Sequence, residues 1–122
     1  MNITEDYVSY EVARLLKERE FEGECDWYYP KYGGEMEQLD LYELNYCRND
    51  FIKCPTHQMA LKWLREKYIY ICPVPAYFHG DETCSWQCDI WAGDNYEKQI
   101  IEKESYEEAV EAALKYTLKN LI

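Results

Sequence analysis

The sequence predicts an α+β fold, in which an antiparallel sheet carries its helices mainly on one face, in the order α-ββ-α-ββ-α. Three observations predict it. A capped helix opens at Pro55 and Thr56 and sets Met59, Ala60, Trp63 and Leu64 on one stripe. At Tyr68 the period changes from helical to alternating. The alternation runs through Tyr68-Ile69-Tyr70-Ile71-Cys72 and returns in Cys84-Ser85-Trp86-Gln87-Cys88-Asp89-Ile90-Trp91. A last helix starts at Ser105-Tyr106-Glu107-Glu108, which has the pattern of a capping box. Strands in adjacent pairs with helices between them favour an antiparallel sheet. With 122 residues, the chain is read as one domain, 1–122, long enough to bury a core.

The first helix is expected from Thr4, with Ile3 before the cap and Val8 after it in staple spacing. Glu5 and Asp6 would then favour the positive end of its dipole. Val8, Val12, Leu15 and Leu16 share one helical face, and the helix is expected to stop near Glu18 or at Gly23. Cys25 to Tyr29 is aromatic and suits a strand. Pro30 to Gly34 is turn chemistry, and Met36 to Tyr42 resumes a weaker alternation, so 25–42 is predicted to be a hairpin. Asn45 to Lys53 shows no period and is read as a loop. The central helix runs from about Thr56 to about Lys67.

Pro73 and Pro75 lack an N–H and share parity, so the strand that carries them is expected at a sheet edge. His79-Gly80-Asp81 and Gly93-Asp94-Asn95 are polar turns, and Lys98 to Glu102 is a further short extended piece. In the last helix, Val110, Ala113, Leu114, Thr117, Leu118 and Leu121 form an apolar seam. The two strand pairs are expected to join in one four-stranded sheet.

Composition excludes several function classes. A hydrophobic share of 48% argues against disorder. No apolar run has the length of a bilayer span, so no membrane partner is expected. Met1 to Asp6 lacks the basic and apolar regions of a signal peptide, which predicts a cytoplasmic protein. A net charge of −11 argues against direct nucleic-acid binding, which relies on Lys and Arg at phosphates. The charge is uneven. Residues 1–50 hold thirteen acidic and five basic side chains, whereas 51–78 hold Lys53, Lys62, Arg65 and Lys67 against Glu66 alone. The six cysteines, 25, 47, 54, 72, 84 and 88, are expected to be reduced and mostly buried.

Three stretches resemble small proteins carried by phages and mobile elements of gut bacteria. They are Tyr10-Glu11-Val12-Ala13-Arg14-Leu15-Leu16-Lys17-Glu18, then Cys54-Pro55-Thr56-His57-Gln58 leading into Lys62-Trp63-Leu64-Arg65-Glu66, and Ser105-Tyr106-Glu107-Glu108-Ala109 with its helix. They cover about half the chain and consist of caps and amphipathic faces. That group has no established chemistry, so the resemblance implies a phage or prophage product acting inside a bacterial host and carries over no functional residue.

No motif for catalysis, cofactor or metal emerges from the residues themselves. Zinc would need clustered ligands, and no Cys-x-x-Cys pair exists. Cys84 and Cys88 lie four apart on an alternating run, roughly 13 Å along a strand at about 3.3 Å per residue. Cys54 and His57 flank a helix start, where a thiolate gains from the dipole, but Cys54 precedes Pro55 and His57 reads as an exposed first-turn residue. Acidic pairs such as Glu107/Glu108 suit helix entry and solubility.

The aromatic content is more informative. Thirteen tyrosines and four tryptophans exceed the needs of a core this size. Trp27, Tyr28, Tyr29, Tyr32 and Tyr42 concentrate on the predicted first hairpin and form the candidate interaction surface. The expected function is a small non-enzymatic protein–protein interaction module, with a host or phage protein as partner or the chain itself as a homodimer. Two alternatives stay open: an acidic DNA mimic that inhibits a host defence enzyme, and an enzyme using a Cys/His site.

Overall fold

The structure, a computed structural model, describes residues 5–78, 80 and 83–122. In chain order the elements are α1 (Tyr10–Glu18), β1 (Tyr28–Pro30), α2 (Leu41–Tyr46), a 3-10 turn (Arg48–Asp50), β2 (Phe51–Lys53) and α3 (His57–Arg65). There follow β3 (Ile69–Phe78), β4 (Cys84–Ala92), β5 (Asn95–Lys103) and α4 (Tyr106–Asn120). The fold is α+β with antiparallel sheets, as the alternation predicts. The strands form a two-stranded sheet, β1-β2, and a three-stranded sheet, β3-β4-β5, in place of the single four-stranded sheet. Contacts group the chain into two units, Met1–Ala60 and Leu61–Ile122, with the division inside α3.

In the first unit, α1 starts later than expected. Its cap is Ser9, whose hydroxyl accepts from the Val12 amide at 3.2 Å. Glu5 and Asp6 lie outside the helix, and Ile3 and Thr4 lie outside the described residues. The chain before the cap is instead held by the start of α3. Val8 N–H donates to Pro55 O at 3.0 Å, His57 N–H donates to Asp6 O at 2.8 Å, and Tyr7 bridges Thr56. Of the expected face, Val12 and Leu16 are buried and Leu15 is half-buried, whereas Val8, also buried, precedes the cap and lies outside the helix; α1 packs on β2.

The helix ends at Glu18 with a Schellman motif. Phe21 N–H donates to Leu16 O at 3.0 Å and Glu20 N–H to Lys17 O at 3.1 Å. That geometry forces Glu20 into the left-handed region, φ 61°.

The predicted 25–42 hairpin reduces to a single bridge, Tyr28 with Glu37. The continuous partner of β1 is β2, in the register Tyr28 with Lys53, Tyr29 with Ile52 and Pro30 with Phe51. The expected turn does form, with Gly33 N–H donating to Pro30 O at 3.0 Å. Residues 41–46 are helical because a capping box outweighs their weak alternation. Asp40 accepts from the Glu43 amide at 2.8 Å, and the Glu43 carboxylate accepts from the Asp40 amide at 3.3 Å. The stretch read as a loop, 45–53, therefore contains the end of α2, the 3-10 turn and all of β2.

Thr56 caps α3 as predicted, its hydroxyl accepting from Met59 N–H at 3.1 Å. In the second unit, Leu61, Trp63 and Leu64 of α3 are buried, with the Lys67 ammonium 4.7 Å from the centre of the Trp63 ring. β3 is an edge strand, in agreement with Pro73 and Pro75. β5 spans nine residues, longer than the short piece expected, and turns from β4 through Gly93-Asp94. Gly93 (φ 61°) supplies the positive φ that such a two-residue turn demands. Of the other predicted turn, His79 and Asp81 lie outside the described residues.

α4 packs on β3, β4 and β5. Val110, Ala113, Leu114, Thr117 and Leu118 are buried along its seam, facing a sheet surface that contributes the buried Cys88 and Ile90. Ser105 caps the helix, accepting from Glu108 N–H at 3.1 Å. The Glu108 carboxylate reaches the amide of Glu104, one residue before the cap, at 3.2 Å. Among the described residues, no helix is long and apolar enough to cross a membrane.

Candidate interaction surface and cavity

The structure divides the five aromatic residues of the predicted surface. Three are used within the first unit. Trp27 meets Tyr7 edge to face, with ring centres 6.2 Å apart. Tyr29 meets Tyr10 at 5.6 Å and donates its hydroxyl to Val8 O at 2.7 Å. Tyr28 is half-buried in β1, and burial foremost raises the pKa of its phenol. The other two face solvent. Tyr32, on the turn after β1, is 90% exposed, with the Lys31 ammonium 5.5 Å from its ring centre. Tyr42, on α2, is 65% exposed.

α2 extends the exposed set. Leu41 is 74% and Tyr46 76% exposed, and all six residues of this helix lie outside the buried class. Tyr42 and Tyr46 stand four apart and so share a face, with ring centres 5.0 Å apart. Apart from half-buried Leu44, burial of its own side chains therefore contributes little to α2, whose N-terminus is fixed by the capping box; the exposed ring pair adds only about 0.2–0.5 kcal/mol. Six residues lie well below the ~12–15 at which isolated helices become even marginal in water. Sequence reasoning missed Leu41 because it placed 36–42 on a strand, and Tyr46 because it read 45–53 as a loop. The signal that reveals them is Asp40-x-x-Glu43, which fits a helix N-terminus.

A cavity of about 340 Å³ opens in the same unit. Its apolar lining includes Ala13 and Leu16 of α1, Leu39, Leu44 of α2, and Phe51 and Ile52 of β2. Lys17, Arg48 and Lys53 add positive charge. Lys53 Nζ donates to Gly23 O at 2.8 Å, and Arg48 Nε donates to Leu44 O at 3.3 Å. Both cations are thus fixed by backbone carbonyls. Sequence reasoning found no such cleft, because its lining comes from four separate stretches.

The chain matches no protein-family model, no curated protein and no solved structure. The fold and its surfaces therefore carry the functional reading.

The Cys/His site looks unlike its prediction. His57 is buried, 3% exposed, because the turn that binds Asp6 and Tyr7 covers the first turn of α3. Cys54 is buried too, with Sγ 3.6 Å from Val8 O and 3.3 Å from Met36 Sδ. Its amide donates to Trp27 O at 2.9 Å, which places it on the strand side of Pro55. Burial pushes the Cys25 thiol up to about 11, even though Lys53 pulls the other way. Cys25, which is not part of the predicted Cys/His pair, is thereby a weak nucleophile. Among the described residues, no three His, Cys, Asp or Glu side chains cluster so as to hold a metal ion.

Proposed function

We propose that this chain is a small non-enzymatic protein-interaction module that docks through α2, with Tyr42 and Tyr46 as its anchors and Leu41 beside them. The reading takes its setting, the cytoplasm of a bacterial host, from the resemblance to phage and mobile-element proteins. One observation supports it above the others. Three large apolar side chains stand 65–76% exposed on six residues, and none of them is needed for the helix's own burial. Contiguous exposed apolar groups mark contact surfaces, and tyrosine is enriched among the residues that dominate binding energy. A rigid ring pair also loses little conformational freedom on binding. The partner is a host or phage protein, or a second copy of the chain.

Photo-crosslinking inside a bacterial host tests this. A benzophenone amino acid at position 46 is expected to give a discrete adduct, and the same group at position 97, an exposed site on β5, is expected to give none. An adduct of twice the chain's mass would identify a homodimer. Identical adducts from both positions, or none from position 46, would contradict the proposal. A catch made of DNA-binding enzymes, displaced by duplex DNA and insensitive to loss of Tyr42 and Tyr46, would favour the acidic DNA-mimic reading instead.

A further inference from the structure

The cavity between α1, β2 and the 39–48 segment has a charge that its surroundings do not predict. Residues 1–60 contain thirteen acidic and six basic side chains. Three of those six, Lys17, Arg48 and Lys53, line this one cavity, and none of the thirteen acids does so among the described residues. The rest of the lining is largely hydrocarbon. We propose that the cavity binds a small amphipathic anion: an alkyl or aryl body ending in one carboxylate or phosphate.

Size, charge and anchoring each support that class. A volume of about 340 Å³ lies near the lower end of ligand pockets, roughly 300–1,000 Å³. At about 30 Å³ per water it would hold on the order of eleven waters, which matches a ligand of roughly ten heavy atoms. The body would lie against Leu16, Phe51 and Ile52, and the head would meet the cations. Arg48 presents a planar guanidinium suited to two-pronged recognition of carboxylate or phosphate. Its Nε is tied to Leu44 O and Lys53 to Gly23 O, so both heads are oriented before a ligand arrives. Tyr28, also in the lining, keeps its phenol protonated near neutral pH and can add an O–H donor.

Titration calorimetry with octanoate, octyl phosphate, octanol and octylamine tests the proposal on the full chain. At least one of the two anions is expected to bind with a dissociation constant below about 1 mM. Octanol is expected to bind about tenfold more weakly, and octylammonium not measurably. The stronger of the two anions distinguishes carboxylate from phosphate. Arg48→Gln and Lys17→Gln change exposed side chains and are expected to leave the circular dichroism unchanged while weakening the anion about fivefold each. Leu44→Trp fills the cavity and is expected to abolish binding by a chain that still folds. Failure of both anions to bind below that concentration would overturn the proposal. So would equal binding of anion and alcohol, or unchanged binding by the Leu44→Trp chain.

Discussion

The Tyr29 hydroxyl donates to the carbonyl of Val8 at 2.7 Å, across twenty-one residues of sequence. The bond ties β1 to the segment that leads into α1 and makes an aromatic of the predicted surface a structural group. Val8 is fully buried, so its carbonyl depends on protein donors, and the Cys54 thiol is a second, weaker one at 3.6 Å. Tyr29→Phe is expected to lower stability by about 0.5–1.5 kcal/mol, the usual worth of one such bond. Urea denaturation measures this. Partner capture through α2 is expected to stay unchanged in the same variant.

Glu20 occupies the left-handed position of the Schellman motif that ends α1, where most natural helices place glycine. A side chain there costs roughly 1–2 kcal/mol in local sterics. The extra freedom of glycine in the unfolded chain offsets part of that cost. Glu20→Gly is therefore expected to raise stability by about 0.5–1 kcal/mol, seen as a higher denaturation midpoint with an unchanged slope. Glu18→Gly, inside the helix, is expected to do the opposite.

Thr117 is fully buried on the seam of α4, and among the described residues its hydroxyl has no hydrogen-bond partner. A buried hydroxyl without a partner costs roughly 1–3 kcal/mol in desolvation. Thr117→Val keeps the branched shape and removes the hydroxyl. It is expected to stabilise the chain by about 1 kcal/mol in urea denaturation.

Cys88 predicts a pH dependence. Burial foremost, with Asp89 and Cys72 adding to it, pushes its thiol from an ordinary 9.0 up to about 12. Below pH 9.0 the folded and unfolded states both hold the proton, so the contribution to stability is fully present. As pH rises toward about 12, the unfolded chain releases the proton while the folded chain keeps it, and stability falls. Stability measured across this window is expected to fall more steeply for the wild type than for Cys88→Ala. Equal slopes would show that other groups govern the alkaline limb.

Much of the fold was legible where local signals and the buried pattern agreed. Thr56 and Ser105 cap helices whose apolar stripes are buried, and Pro73 and Pro75 placed β3 at an edge. The first half misled because its pairing is not local. β2 has three residues, too few to display a period, and its partner Tyr28–Pro30 lies more than twenty residues earlier. The Leu39-Asp40-Leu41-Tyr42 alternation suggested a strand, and the capping box of Asp40 and Glu43 made part of it a helix. The exposure of His57 was misjudged for a related reason, since the residues that cover it come from the N-terminal segment. Of the candidate surface, Tyr32 and Tyr42 were legible. Leu41 was hidden by the strand assignment, Tyr46 by the loop assignment, and Arg48 and Lys53 by the distances in sequence over which the cavity is assembled.

One variant tests the proposed role of α2 most directly. Tyr42→Ser with Tyr46→Ser removes two exposed rings from a helix that buries none of its own residues. Stability and partner capture are measured side by side on that chain and the wild type. The expected result is stability within about 0.5 kcal/mol of the wild type, as for ordinary surface changes, together with loss of the captured partner. Capture that survives in a folded double variant, or unfolding caused by the two changes, would contradict the role assigned to α2.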